Sequence, residues 1–392
     1  MSELQTNLWS YLWDLVDGGI DDVLDYLQGE MGITGLSVAT SYPEIDQLRP
    51  RDAIKPRIFR SAGGVQFQPQ SAHYHSTRMR PVVAAWLKKS NPLTAVAEAC
   101  AKRHLRLRAW HVCCDSPVTA SRYAGNTVKN VFGDSSRRWL CPANPDVREY
   151  LRATVEDLSE HYPFETIELD CLSFPSAKRG MAPLQTGIDL GEMGTWLTDL
   201  CFCESCRQSA TREGIDVEAA SQSAQATLRQ LFDTGETTQL PLHEFIADQP
   251  ALQTYVSWRC EQVTSLVHTI KQACRCRLVV HRKGTSLREA TDFTAIAQQC
   301  DGLLTSCSPL EGEMLESQIG STCQQTGDIN RVELGLTACS PACPNYDTLV
   351  RAMSEAARQG IRRIGIANYG LLPAPRLAWI RQATRYAQRE YS

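Results

Sequence analysis

Short apolar runs rich in Val, Ile, Leu and Thr recur about eight times along this chain with helical patterns between them, and few architectures satisfy that alternation. A strand, a helical crossover and a further strand make a parallel βα unit. Eight such units close on themselves as a barrel. The candidate strands cover 8–15, 33–40, 105–112, 166–172, 277–281, 302–306, 331–337 and 363–368. Helical patterns cover 21–28, 92–103, 144–161, 249–274, 293–299, 346–359 and 376–389. Asn144-Pro145-Asp146 puts a capping amide, a proline at the first helical position and an early acid in the order that starts a helix. Gly360 stands where a glycine ends one. The expected fold is α/β, a (β/α)8 TIM barrel, with residues 1–392 as one barrel domain.

Two long connections interrupt the repeat. One, 41–92, follows the second strand and carries His73 and His75; the other, 173–248, follows the fourth and carries a cysteine triad. Long loops in compact domains are functional or disordered, and loops after barrel strands lie at the C-terminal face, where barrel enzymes work. The stretch 219–239 reads as a weak helix or a mobile excursion.

Charge is nearly balanced, 40 basic against 44 acidic residues for a net of −4, which points away from nucleic acid and anionic membranes as partners. No apolar stretch approaches the roughly 18 residues of a membrane span. The opening Met1-Ser2-Glu3-Leu4-Gln5 lacks the basic and apolar regions of a secretion signal, so a cytoplasmic protein is expected. In that setting the 16 cysteines read as reduced thiols and metal ligands rather than disulfides. Cys201, Cys203 and Cys206, spaced C-x-C-x-x-C, together with Cys141 can surround a tetrahedral structural zinc; buried thiols packing as small hydrophobes are the alternative.

The order of these motifs resembles the catalytic barrel of glycoside hydrolase family 42 β-galactosidases. Ser136-Arg137-Arg138-Trp139-Leu140-Cys141, a helix from Asp146, an acid-bearing strand and Cys201-Phe202-Cys203-Glu204-Ser205-Cys206-Arg207 carry the resemblance. Pro250-Ala251-Leu252, Val279-Val280-His281-Arg282, Asp292-Phe293 and Asp301-Gly302-Leu303 continue it, over roughly 100–310. It implies a structural zinc on Cys141, Cys201, Cys203 and Cys206. It also implies retaining chemistry, with an acid/base after strand four and a nucleophile at the end of strand seven. The sequence ends after strand eight, so that family's trimerisation and β-sandwich domains are expected to be missing.

Strand four holds no Asn-Glu pair; its acids are Glu168 and Asp170, which share a parity and can both point inward, Asp170 nearer the rim. Glu333 is the only acid of strand seven, deep in the strand, where it can instead be the buried partner of an arginine or lysine. An inverting pair of carboxyls about 6.5–9.5 Å apart is the variant if Glu333 is out of reach, with Glu311 or Glu313 as the second acid. Trp110-His111, His281-Arg282-Lys283, Tyr42 and Asn368-Tyr369 end strands three, five, two and eight, where they should face a small carbohydrate. Asp14 is placed likewise at the end of strand one. His73, His75, Arg78 and Arg80 read first as solvated loop residues, with a lid over a carboxylated or phosphorylated ligand as the alternative, and Met181, Met193 and Trp196 should pack under the cysteine loop.

The leading function is a carbohydrate-active enzyme, a glycoside hydrolase. The alternatives are a metal-dependent sugar isomerase or lyase, with Glu168 or Asp170, His111 and His281 as ligands, and a non-catalytic barrel that binds a glycan or protein. A homo-oligomer is left open.

Overall fold

The computed structural model describes residues 4–51, 57–175, 184–236, 240–308 and 312–391. Its centre is a closed parallel barrel of eight strands: β1 Gln5–Ser10, β2 Gly35–Tyr42, β3 Arg106–Val112, β4 Thr166–Asp170, β5 Arg277–Arg282, β6 Gly302–Cys307, β7 Val332–Thr337 and β8 Arg363–Ala367. Each strand pairs in parallel with its sequence neighbours, and β1 closes the ring by pairing with both β8 and β2. The (β/α)8 class is thus as expected.

The first strand is not. The run 8–15 was expected to be one strand, but the chain is extended only to Ser10, and Leu12–Asp17 is a helix. Its apolar residues Leu12, Trp13 and Leu15 are all buried, so the run satisfies burial in either conformation. The structure also has a helix over Gly312–Thr326, between β6 and β7, which the sequence pattern left unread.

Helix Pro145–His161 begins as its sequence dictates: Asn144 Oδ1 accepts from the amides of Asp146 at 3.0 Å and Val147 at 3.2 Å, with Pro145 in the first turn. Gly360, at φ +94°, ends the helix Tyr346–Arg358 in a left-handed conformation that side-chain-bearing residues avoid. The connection after β2 forms a hairpin, Ile45–Leu48 against Ile58–Ser61, then adds Gly64–Val65 antiparallel to the end of β2. The connection after β4 is largely helical, with Gly191–Asp199, Glu204–Arg212, Val217–Thr234 and Leu242–Ala247; the third of these makes 219–234 helix, and 237–239 lie outside the described residues. Among the described residues, no helix is long and apolar enough to cross a membrane.

Trp9 fills the barrel against two glycines. A Cβ at Gly365 would come within 2.7 Å of its ring, and one at Gly335 within 3.0 Å. Gly365→Ala is therefore expected to overpack the barrel and cost about 1–3 kcal/mol, measured by urea unfolding. An unchanged midpoint would mean that Trp9 is not held by these glycines.

Candidate functional site

Parity decides which side chains reach the barrel interior. On β4, Ile167 and Leu169 pack in the outer core, while Glu168 and Asp170 point inward on the opposite face. Both are buried, at 0% and 3% exposure.

Glu168 occupies the deeper layer. Its Oε1 accepts from Arg108 Nε at 2.5 Å and Ser37 Oγ at 2.7 Å; its Oε2 accepts from Trp9 Nε1 at 2.8 Å and lies 3.3 Å from His281 Nε2. Burial alone would raise this carboxyl, but the Arg108 charge, followed by His281, holds it down at about 2. Glu333 lies in the same polar layer. Its Oε2 accepts from Arg108 Nη2 at 2.5 Å and its Oε1 pairs with Arg277. Burial again opposes ionisation, and Arg108 and Arg277 outweigh it, leaving the carboxyl below its ordinary value. Glu333 is the buried arginine partner that its depth in the strand allows.

Asp170 stands one layer nearer the mouth. Lys283 Nζ donates to its oxygens at 2.9 and 2.8 Å, and Trp110 Nε1 donates to Oδ2 at 3.1 Å. His281 Nδ1 lies 3.7 Å from Oδ2, so the imidazole stands between Glu168 and Asp170. Despite burial, Lys283 and then His281 hold Asp170 well below the usual carboxylate range. Both carboxyls of β4 are therefore anions at neutral pH, suited to act as base, nucleophile or electrostatic stabiliser and not as proton donors. Lys283 and His281 also line a cavity of about 290 Å³ with Cys171, Leu172, Glu289 and Phe293. A larger groove of about 550 Å³, along helix Pro250–Ala273, lies outside the barrel.

Aromatic rings build the wall beside Asp170. Trp110 stacks on Tyr11 at 5.8 Å and meets Tyr42 edge-on at 5.0 Å, and Tyr11 stacks on Trp13 at 4.7 Å. Tyr42 and Trp110 thus come together. Asn368 follows β8, buried, its Oδ1 accepting from the Gly370 amide and its Nδ2 without a hydrogen-bond partner. Tyr369 lies under Arg51, whose guanidinium is 4.0 Å above its ring.

Two residues expected at the mouth face the other way. His111 has the opposite parity to Arg108 and Trp110; it is 1% exposed, with Nδ1 3.1 Å from Thr40 Oγ1, and burial lowers its pKa to about 4. Arg282 donates to Gln325 at 2.6 Å and Gln318 at 2.9 Å on helix Gly312–Thr326, with its guanidinium over Phe293. The strand period of two that places His281 inward turns Arg282 outward. Asp14 belongs to the helix after β1, where it accepts from Gln47 at 2.9 Å and pairs with Arg49 at 3.0 Å; burial outweighs both and pushes it up to about 6. Glu313 is exposed on its helix, and Glu311 and Met181 lie outside the described residues. Arg78 and His73, solvated loop residues or a lid on sequence grounds, lie along helix Pro145–His161, with Arg78 on Asp146 at 2.8 Å and His73 beside Glu156 at 3.3 Å.

Sequence reasoning placed Lys283 at the mouth, in the run that ends strand five, but missed its charge pairing with Asp170, and it missed Trp9, Arg108 and Arg277. The two arginines were legible in principle, because a guanidinium within an apolar barrel strand requires a buried anion nearby.

The four cysteines converge. Cys141 follows the hairpin strand Ser135–Leu140, Cys201 and Cys203 precede helix Glu204–Arg212, and Cys206 sits in its first turn. Cys141 Sγ lies 3.5–3.8 Å from the other three sulfurs and Cys206 Sγ 3.7 Å from that of Cys201, all buried, and none of the chain's cysteines forms a disulfide. A tetrahedral ion with bonds of about 2.3 Å to sulfur requires sulfur–sulfur edges of about 3.8 Å, so the cluster fits such a metal. Tyr255 donates to the Cys201 carbonyl and stacks on Phe202 at 5.0 Å, and Met193 and Trp196 are buried on the preceding helix.

The sequence matches no protein-family profile, and comparison with curated proteins gives no match. Solved structures do match. The chain superposes on a β-galactosidase from the psychrophilic Marinomonas ef1 with a TM-score of 0.57 at 12% identity, over 99% of this chain and 59% of that one. It superposes on α-L-fucosidase isoenzyme 2 from Paenibacillus thiaminolyticus with a TM-score of 0.57 at 10% identity, over 99% of this chain and 49% of that one. The chain thus spans about half to three fifths of the length of these two proteins. At such identities the likeness is one of fold, and it places this chain among (β/α)8 barrels that resemble the β-galactosidase barrel remotely.

Proposed function

We propose that the chain is a carbohydrate-active barrel enzyme, a glycoside hydrolase acting on a small glycoside or oligosaccharide. The observation that carries this reading is Asp170: a buried, charge-held carboxylate at the C-terminal end of β4, with an aromatic wall on one side and Lys283 and His281 on the other. Asp170 serves as the base that takes a proton from the attacking water. In this reading a protonated His281 gives a proton to the leaving oxygen, which balances the hydrolysis. Trp110 and Tyr42 offer ring faces to the sugar, and the Asn368 amide supplies a donor to a hydroxyl. Glu168 and Glu333, saturated by arginines, position this layer. The fold neighbours, a β-galactosidase and an α-L-fucosidase, support the choice of substrate class.

The test is hydrolysis of a panel of aryl galactosides, fucosides and glucosides, with the anomer of the product read by NMR. Turnover of at least one, with a definite stereochemical outcome, supports the reading. A protein that binds sugars without cleaving any is the second reading, favoured by the engagement of all three acids, Glu168, Glu333 and Asp170, in ion pairs. Absence of both turnover and sugar binding would remove the carbohydrate assignment.

The same proposal gives the four cysteines a structural zinc, which would tie the hairpin, helix Pro145–His161 and helix Glu204–Arg212 together. Replacing Cys203 with serine is expected to lower bound zinc by about one equivalent and to reduce the melting temperature by several degrees. Unchanged zinc content by elemental analysis would show that these thiols are core side chains only.

A further inference from the structure

One cluster of metal-ligating groups lies far from Asp170. His73 comes from the 3-10 turn Ser71–Tyr74 in the connection after β2; Asp157 and His161 stand four apart, on one face of helix Pro145–His161. One ligand atom from each lies within 4.8 Å of the others. Asp157 is the anchor. Its side chain is 1% exposed, and Oδ2 accepts from the Gln70 amide at 2.9 Å and Tyr74 Oη at 3.0 Å. Its other oxygen, Oδ1, is buried and accepts no hydrogen bond; it lies 3.0 Å from His161 Nδ1, which is also 3.0 Å from the Asp157 backbone carbonyl. A buried carboxylate oxygen left in that state is costly unless a cation completes it. The imidazole of His73 packs edge-on to that of His161 at 5.3 Å, and carboxylates flank it: Glu156 lies 3.3 Å from Nδ1 and Glu160 3.7 Å from Nε2. A carboxylate on the far nitrogen of a ligating histidine is the usual outer-shell arrangement of zinc sites, since it fixes ring and tautomer. Of the nearby cations, Arg152 is held by Glu149 and Glu156, and Arg275 by Glu160.

We propose that His73, Asp157 and His161 form a second divalent-metal site, for zinc or an ion of like preference, which clamps the connection after β2 to the outside of the barrel. Two imidazoles and one carboxylate are a donor set that suits zinc, with water or a neighbouring glutamate completing the tetrahedron. The three ligand atoms lie within 4.8 Å of one another, and rotation of the partly exposed His161 ring frees its nitrogen from the Asp157 carbonyl and turns it to the ion, where nitrogen–oxygen edges are about 3.3 Å. His161 ends the helix that leads into β4 at Thr166, so the site lies at the foot of the barrel and acts on loop anchoring, not on the reaction.

The experiment strips the full chain with chelator, reconstitutes it with Zn²⁺ and counts bound metal in wild type, His73→Gln, His161→Gln and Cys203→Ser. Each histidine variant is expected to hold about one zinc fewer than wild type, while Co²⁺ loading still gives the thiolate charge-transfer band of the cysteine cluster. Cys203→Ser is expected to keep the zinc that the histidine variants lose, which separates this site from the cysteine site. Equal zinc in wild type and His73→Gln, a surface-loop change that leaves the barrel core intact, would overturn the proposal. So would a count that falls only with Cys203.

Discussion

Asp170→Asn is expected to lower kcat on the best glycoside of the panel by about 10²–10⁴-fold, the usual contribution of a positioned acid–base group, with little change in melting temperature. The amide keeps the shape and can still face Trp110, but it cannot take a proton. A companion change sharpens the test, because Lys283 is the chief cause of the low Asp170 pKa. In wild type the acid limb of the pH–rate profile should therefore lie well below pH 4, and activity should be insensitive to Asp170 protonation across the neutral range. With Lys283→Met, burial is less opposed, the Asp170 pKa rises, and the acid limb moves toward neutrality. Turnover by Asp170→Asn within about twofold of wild type would remove Asp170 from the chemistry. An acid limb that stays in place in Lys283→Met would remove the electrostatic part of the argument.

The second large effect is on stability. Arg108 is 2% exposed and bridges two carboxylates, Glu168 and Glu333, that are themselves almost wholly buried. Arg108→Met should destabilise the barrel by about 3–5 kcal/mol at pH 7, because it leaves buried charge uncompensated. The pH dependence follows from the sign of the shift. Glu168 is held at about 2 in the folded protein, below the value of about 4.3 of a free glutamate. Between those values the unfolded chain binds the extra proton, so this contribution is complete above about pH 4.3 and is lost as pH falls toward 2. Removing Arg108 removes that dependence, since the remaining carboxyls can fold in neutral form. The gap between wild type and Arg108→Met in urea unfolding should therefore narrow from pH 7 to pH 3. A gap of the same size at both would be evidence against the charge ladder.

These predictions divide along a line that the molecule itself draws. Local rules in the sequence specify each element: Asn144 and Pro145 start their helix, Gly360 ends another, and the period of two on Thr166–Asp170 aims Glu168 and Asp170 to one side. The cysteine spacing was equally local, since three of the four thiols lie within six residues. The same rules failed where one residue's shift changes a face. His111 and Arg282 stand next to inward residues and so point out, although their positions at strand ends suggested the mouth. The run Leu8–Leu15 is apolar in a way that either a strand or a strand followed by a helix can bury.

What the sequence by itself determined is the succession of βα units, the parity of the β4 acids and the spacing of the clustered cysteines, because each depends on neighbours within a few residues. Only the tertiary structure decided which charges meet. Arg108 reaches Glu333 across 225 residues, Trp9 reaches Glu168 across 159, and Lys283 reaches Asp170 across 113. Those pairings set which carboxylates are anions and which one is left facing the mouth. They exist because barrel closure brings strands remote in sequence around one axis, where a buried charge must find its opposite.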